Sequence, residues 1–421
     1  MPNSGDQLTP RYVESRFSVW LLRPYLDLGP FHLGPLHVSC VEECWRALTD
    51  PSSEPFVAQR ALPPAFRRQL VDKAGTSFAL NDPRELSEEL RTLRWRELCQ
   101  MLDGWDRLSL DCKCRLASLL HSMCLYGPLL ALIQESVLQV EHAEPKAVEL
   151  AFWQASARFM QGLRHGTARY HDADMSVFER IARRATHAVL VNFNAAAMVF
   201  VHKAKTGAAL SELCEWAKRY EAALVRAVDG LDEFNASLLT SRFYRGVGFL
   251  PQHRGNRSGV IQTMDLAERH ARAMQPATTG QRILYRENLH ALFESRTKES
   301  LWLGDRKQAL ARSLKVTEVD PYDSKAWVEL GEVRHLRKEL QEAAQAYIVA
   351  ATLGPPADAV GRHMAGLCYR ELGQDLLAAL LFKDALELDP LGISPRQEIS
   401  ELPPTGVLKA LMDWARNTVE W

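Results

Sequence analysis

The sequence predicts an all-α protein: a helical-hairpin α-solenoid, regular in its last third and less regular in the N-terminal region. Two observations predict it. Five residue pairs recur at a spacing of 35 positions: Gly331 and Gly366, Ala343 and Ala378, Tyr347 and Phe382, Ala350 and Ala385, and Pro355 and Pro390. Apolar residues also recur at helical intervals through most of the chain beyond residue 86.

Taken from the N-terminus, residues 1–80 read as an irregular segment. Prolines at 10, 24, 30, 35, 51, 55, 63 and 64 interrupt it, and an internal proline removes a helical hydrogen bond. Short strands over Phe17–Leu22 and Phe31–Cys40 are expected there. Residues 81–289 read as degenerate helical hairpins. Helices are expected over Leu86–Leu102, Cys114–Ser136, Pro145–Leu163, Met175–Lys203, Leu210–Val228 and Phe234–Val247. Asp229–Met274 reads as a further hairpin with Met264–Met274 as its second helix. Its connection, Gly246–Gly259, is long for such a motif. Asn192 and Asn194 interrupt an apolar helix. A buried amide needs partners, so they either bond across to a neighbouring helix or line a ligand pocket.

Residues 290–392 carry the repeats. Small residues (Gly331, Ala343, Gly366 and Ala378) let two helices approach closely, Trp327, Tyr347 and Phe382 fill the space between hairpins, and the prolines end the second helix. A weaker copy precedes them in Phe293, Gly304, Ala309, Val316 and Pro321, with Arg296 and Thr297 where the Leu-Gly pair should stand. The order of large aromatic, Leu-Gly, Ala, aromatic, Ala and Pro resembles the tetratricopeptide repeat. A final helix, Thr405–Glu420 within residues 403–421, presents Leu408, Leu411, Met412, Trp414 and Ala415 as an apolar face that would cap the stack.

Composition removes several function classes. Lys plus Arg (51) balances Asp plus Glu (52), so no whole-chain field attracts nucleic acid or an anionic membrane. Glu85–Leu119 has helices and arginines, but interleaved Glu and Asp leave no recognition helix. Met1–Thr9 lacks a signal-peptide pattern, and His187–Val201 is too short and polar to span a bilayer. Eight cysteines are too sparse for a disulfide framework, so a cytoplasmic chain with reduced thiols and no membrane partner is expected. No P-loop, dinucleotide fingerprint, HExxH, paired CxxC or nucleophile elbow occurs, so no cofactor is expected. Cys112, Cys114, His121 and Cys124 make a poor zinc set, because on one helix Cys114 and His121 lie about 10 Å apart, far beyond zinc–ligand bonds of about 2 Å.

Three places remain as candidate sites. His171 with Asp172 or Asp174 has the composition of an oriented base, but an Asp before a helix start is ordinarily a cap. Arg242, Arg245, Arg254 and Arg257 gather positive charge around the long connection, which suits a carboxylate or phosphate. The tetratricopeptide resemblance implies that the first helix of each hairpin lines a concave groove. That places Glu294, Lys298 and Trp302, then Lys325, Glu329, Glu332 and His335, then His363, Leu367 and Arg370 on the lining. The carboxylate-clamping subfamily's Lys/Asn/Arg pattern is not reproduced, so that ligand is not implied.

The leading expectation is therefore a scaffold that binds a protein or peptide partner in a helical-repeat groove. One alternative is an enzyme using His171, Asp172 or Asp174 with Arg242 or Arg245 on a peptide or carrier-protein substrate. Another is a peptide-responsive regulator. The stack also suits dimerisation, so a homo-oligomer stays open.

Overall fold

The computed structural model describes residues 35–50, 52–58, 81–133, 140, 142–164, 170–354, 357–389 and 393–402, and every regular element among them is helical. The expected strand Phe17–Leu22, the repeat-ending Pro355 and Pro390, and the capping helix Thr405–Glu420 lie outside the described residues. The second expected strand is overturned where it is described. Residues 35–40 belong to helix α1, Pro35–Thr49, because a proline at the first helical position opens a helix rather than breaking one.

Several other boundaries shift for local reasons. Helix α2 is Leu93–Asp103, not Leu86–Leu102, because Thr92 accepts the Trp95 N–H and fixes the start. The helix expected over Cys114–Ser136 divides into α3, Leu110–Ser122, and α4, Tyr126–Leu132. Cys124 takes a left-handed φ of 58° between them, and Pro128 in the first turn of α4 would break a continuous helix. Helix α5, Pro145–Arg164, matches its expected span. Met175–Lys203 divides into α6, Ser176–Arg184, and α7, Val189–Lys205.

Asn192 explains that last break. Its amide Nδ2 donates to the carbonyls of Ile181 at 2.8 Å and Ala182 at 3.2 Å, while its oxygen accepts from Arg226 at 3.0 Å. The side chain is fully buried and adds donors to carbonyls in the last turn of α6, one of which, Ile181, also accepts the Ala185 N–H. It bonds across to neighbouring helices, the first of the two expected roles.

The array follows. Helix α7 packs on α8, Leu210–Val228. Helix α9, Glu233–Val247, packs on α11, Arg257–Ala273, with the short helix α10, Phe249–His253, inside the connection expected to be a long loop. Asn256 caps α11, which starts well before the expected Met264. Next come α12, Thr279–Leu303, with α13, Arg306–Val319; α14, Ser324–Leu336, with α15, Leu340–Thr352; α16, Asp358–Glu371, with α17, Asp375–Leu388; and finally α18, Ile393–Glu401. The helical-hairpin architecture thus extends upstream of residue 290.

The recurring glycines act as the sequence implies. A Cβ on Gly331 would fall 2.5 Å from the Tyr347 ring, and one on Gly366 would fall 2.5 Å from the Phe382 ring. Tyr347 shares a core with Ala365 and Cys368 of the next hairpin, and Phe382 with Ile399 and Leu402 beyond it. Trp327 joins Leu330, Ala346 and Ala350, with Leu310 and Leu314 of the preceding hairpin against them.

The degenerate repeat is built differently. Thr297 and Ser313 stand 34 positions before Gly331 and Tyr347, so the aromatic plug is missing. Arg296 lies beside them, paired with Glu299 at 2.9 Å, Asp265 at 2.6 Å and Glu268 at 3.2 Å, and Arg312 reaches the same Glu299 at 3.0 Å. Arg296 and Glu299 side chains are only 7% and 3% exposed, so this ion cluster occupies interior space.

The N-terminal helices have their own core around Trp95, Leu98, Leu116 and Tyr126, joined by Leu36, Val41 and Cys44 of α1. Helix α1 packs on both α3 and α12, which ties this core to the array. No helix among the described residues is long and apolar enough to cross a membrane.

Candidate functional site

The His171 cluster resolves into local roles. Tyr170–Asp172 is a single 3-10 turn, and His171 and Asp172 are exposed. Asp174 accepts the Ser176 N–H at 2.9 Å at the start of α6. That hydrogen bond, with one from the Ser176 hydroxyl, holds its carboxyl below the ordinary range. Arg242 and Arg245 instead feel Tyr220, Glu287 and Glu294. The arrangement required for joint catalysis by His171 and these arginines is not assembled by any contact described.

Two residues of the poor zinc set, His121 and Cys114, have local partners. His121 sits between the rings of Tyr126 (5.5 Å) and Trp153 (5.1 Å) and bonds to the Ser156 hydroxyl at 2.9 Å. The Cys114 thiol donates to the Lys146 carbonyl at 3.3 Å.

The basic cluster around the α9–α11 connection is divided by the fold. Arg254 reaches the Cys214 sulfur at 3.0 Å, and His253 contacts the Ala204 carbonyl at 2.9 Å, so both brace α7 and α8. Arg257 donates to the Leu303 carbonyl and closes the end of α12. Arg242 and Arg245 alone stay together, one turn apart on α9, and both feel Tyr220.

The residues implied for the first helices form a ladder along the array. Glu294 on α12 binds Lys298 at 2.6 Å and Lys325 on α14 at 2.9 Å, and Lys298 approaches Glu329 on α14 at 3.5 Å. Burial opposes ionisation of Glu294, but Lys325 and Lys298 outweigh it and hold the carboxyl down to about 2. His335 on α14 contacts Glu371 on α16 at 2.5 Å, and Lys338 joins at 3.2 Å. Arg370 on α16 pairs with Glu398 on α18 and lies 3.6 Å from Glu401. Trp302 and Glu332 are exposed. His363 departs from the pattern: its ring packs 5.5 Å from Phe382, and its Nδ1 is enclosed without a partner. Leu367 also packs into the Phe382 core.

Sequence reasoning missed three members of this face. Lys205, from the end of α7, lies 5.6 Å over the Tyr170 ring and feels Lys298, Glu294 and Lys325. Tyr220 reaches from α8 over the Arg242–Gly246 turn, where a Cβ on Gly246 would meet its ring at 3.1 Å. Glu371 joins His335 and Lys338 at the α14–α16 step. Only the Gly246–Tyr220 contact had a signal, a glycine on a helix facing an aromatic, which repeats the logic of Gly331 and Tyr347.

No family model matches the chain, and no curated protein matches it. Solved structures to which it is similar include YrrB, described as a tetratricopeptide-repeat protein with an unusual peptide-binding site, at 16% identity and a TM-score of 0.33, covering 53% of this chain and 98% of that one. Another is MamA, at 20% identity and a TM-score of 0.30, covering 41% and 90%. An APC/C hetero-tetramer matches at 15% identity and a TM-score of 0.29 over 96% of this chain and 81% of that one. The helical-hairpin architecture stands on the chain's own packing: small residues against aromatics, hairpin after hairpin.

Proposed function

We propose that the chain is a cytoplasmic scaffold that binds a protein or peptide partner along the first helices of its hairpins. One observation carries this reading. Charged side chains of α12, α14, α16 and α18 link laterally from each first helix to the next, which holds a broad polar face in one arrangement before any partner arrives. A pre-formed surface loses less conformational freedom on binding than a mobile one. Trp302 and Glu332, exposed on α12 and α14, are free to contact a ligand, and an exposed tryptophan is a common binding anchor.

The experiment is a peptide-array and pull-down screen with the full chain, followed by calorimetry on the strongest ligand. Trp302→Ala combined with Glu332→Ala should weaken binding about tenfold or more while leaving the thermal midpoint in place. Silence across arrays and pull-downs, or binding indifferent to both substitutions, would sink the reading.

A further inference from the structure

The ion ladder has a gap at one end. Lys298, Lys325, Glu329, His335 and Arg370 all pair with neighbours, whereas Arg242 and Arg245 make no hydrogen bond or ion pair among the described residues. The Arg245 Nη1 is enclosed and has no acceptor. Arg242 and Arg245 are half-buried, and an enclosed guanidinium nitrogen with no acceptor carries a desolvation cost that calls for an explanation.

The surroundings point to a missing anion. The two guanidinium groups rise from one turn of α9. Tyr220 lies over that turn, fixed by Phe243 at 4.9 Å and Phe193 at 5.1 Å, and its hydroxyl oxygen would lie 3.5 Å from a Cβ on Gly246. That hydroxyl makes no hydrogen bond among the described residues. Burial pushes the phenol up to about 12, so it remains a donor at physiological pH. Burial, with Arg242 adding to it, brings Arg245 down to about 10, so it remains a cation. The carboxylates that face the pair are engaged elsewhere: Glu294 by Lys298 and Lys325, and Glu287 by the Cys40 thiol at 3.3 Å.

We infer that Arg242, Arg245 and the Tyr220 hydroxyl form a socket for one carboxylate of the bound partner, either a chain terminus or an Asp or Glu side chain. The inference rests on the scaffold reading and adds the chemistry of the anchor. Guanidinium groups suit a two-oxygen anion, and the phenol supplies a further donor.

The test uses fluorescein-labelled decapeptide pools, randomised except at one fixed position holding Glu, Gln or phosphoserine. Two further pools end in a free carboxylate or an amide. Anisotropy against the full chain should show the Glu pool, or the free-carboxylate pool, binding at least about tenfold more tightly than its neutral match; which one does so identifies the source. Arg242→Gln with Arg245→Gln should erase that preference. Arg245→Met should erase it too while raising the thermal midpoint, because it removes a half-buried, unpaired charge with one enclosed nitrogen; a guanidinium with a structural role would lower the midpoint instead. Equal binding of charged and neutral pools overturns the socket and leaves the binding face standing. Tighter binding of phosphoserine overturns the carboxylate assignment. Binding of no pool by the wild-type chain overturns the socket and the scaffold together.

Discussion

At the scale of single residues, the 35-residue period is a guide to which side chains are mismatched. Tyr347 and Phe382 occupy equivalent positions, yet the Tyr347 hydroxyl is buried without a partner. A buried, unsatisfied hydroxyl costs about 1–3 kcal/mol. Tyr347→Phe is therefore expected to raise stability by up to about 1 kcal/mol, read as a higher urea midpoint with an unchanged slope; a lower midpoint would mean the hydroxyl has found a partner. His121 sets a pH dependence. Burial pushes its imidazole down from 6.5 to about 4, so the unfolded chain binds a proton that the folded chain refuses. Its contribution is intact above pH 6.5 and is lost as pH falls from 6.5 through 4, on the order of 3 kcal/mol in all. His121→Gln, which keeps a polar group near Ser156, should flatten the urea midpoint across that window. An undiminished loss would assign it to other groups. The role of His121 could not be read from the sequence, because its partners Ser156 and Trp153 are distant in the chain and on another helix.

Single elements separate what local pattern encodes from what it leaves open. Gly366 and Phe382 belong to neighbouring helices at a fixed interval, so their contact was legible in the sequence. Gly366→Ala forces a methyl to within 2.5 Å of the Phe382 ring and is expected to cost about 1–3 kcal/mol. A neutral effect in chemical denaturation would mean that α16 and α17 can slide apart freely. The first repeat was legible only as a departure. Arg296 and Thr297 announced that a Leu-Gly pair was missing, but not that Glu299, Asp265 and Glu268 would gather around the guanidinium, because Asp265 and Glu268 come from α11. Glu299 is the hinge of that cluster, since it serves both Arg296 and Arg312. Burial raises its carboxyl above the ordinary range, and Arg296 and Arg312 offset only part of that. Glu299→Ala should cost about 3 kcal/mol, because it leaves Arg312 without its carboxylate while Arg296 keeps Asp265 and Glu268. Replacing Glu299, Arg296 and Arg312 together by Leu or Met should cost far less, and equal losses would deny that stranded charge is the cause. The strand expected over residues 31–40 failed for a simpler reason: the same proline breaks a helix from within and begins one from its first turn.

Across the whole molecule, the question is whether the N-terminal core and the array behave as one cooperative body. Repeat arrays fold through nearest-neighbour contacts, so coupling to a separate core depends on the few places where the two touch. Helix α1 is such a place. It packs on α3 within the N-terminal core and on α12 within the array, and its Cys40 thiol reaches Glu287. Gly280, in the first turn of α12, makes the approach close: a Cβ there would fall 2.9 Å from the Glu43 carboxylate and 3.3 Å from the Phe56 ring. Nothing in the local sequence around Gly280 flagged this, since the glycine answers to residues more than two hundred positions away. Glu43 is itself buried and held by Arg46, so it cannot simply swing aside. A leucine at 280 therefore has to displace α1 from α12 rather than compress either helix, and the packing inside each body is left untouched. Gly280→Leu is expected to split one calorimetric transition into two, with the far-ultraviolet helical signal at 20 °C unchanged and new protease cleavage near α1. The partner-binding face should keep its affinity, since Trp302 and Glu332 lie far along α12 and α14 from the disturbed turn. A single transition lowered as a whole would mean that the coupling runs through the contacts of α5 with α6 and α7 instead, and that the two bodies share stability along the full length of the chain.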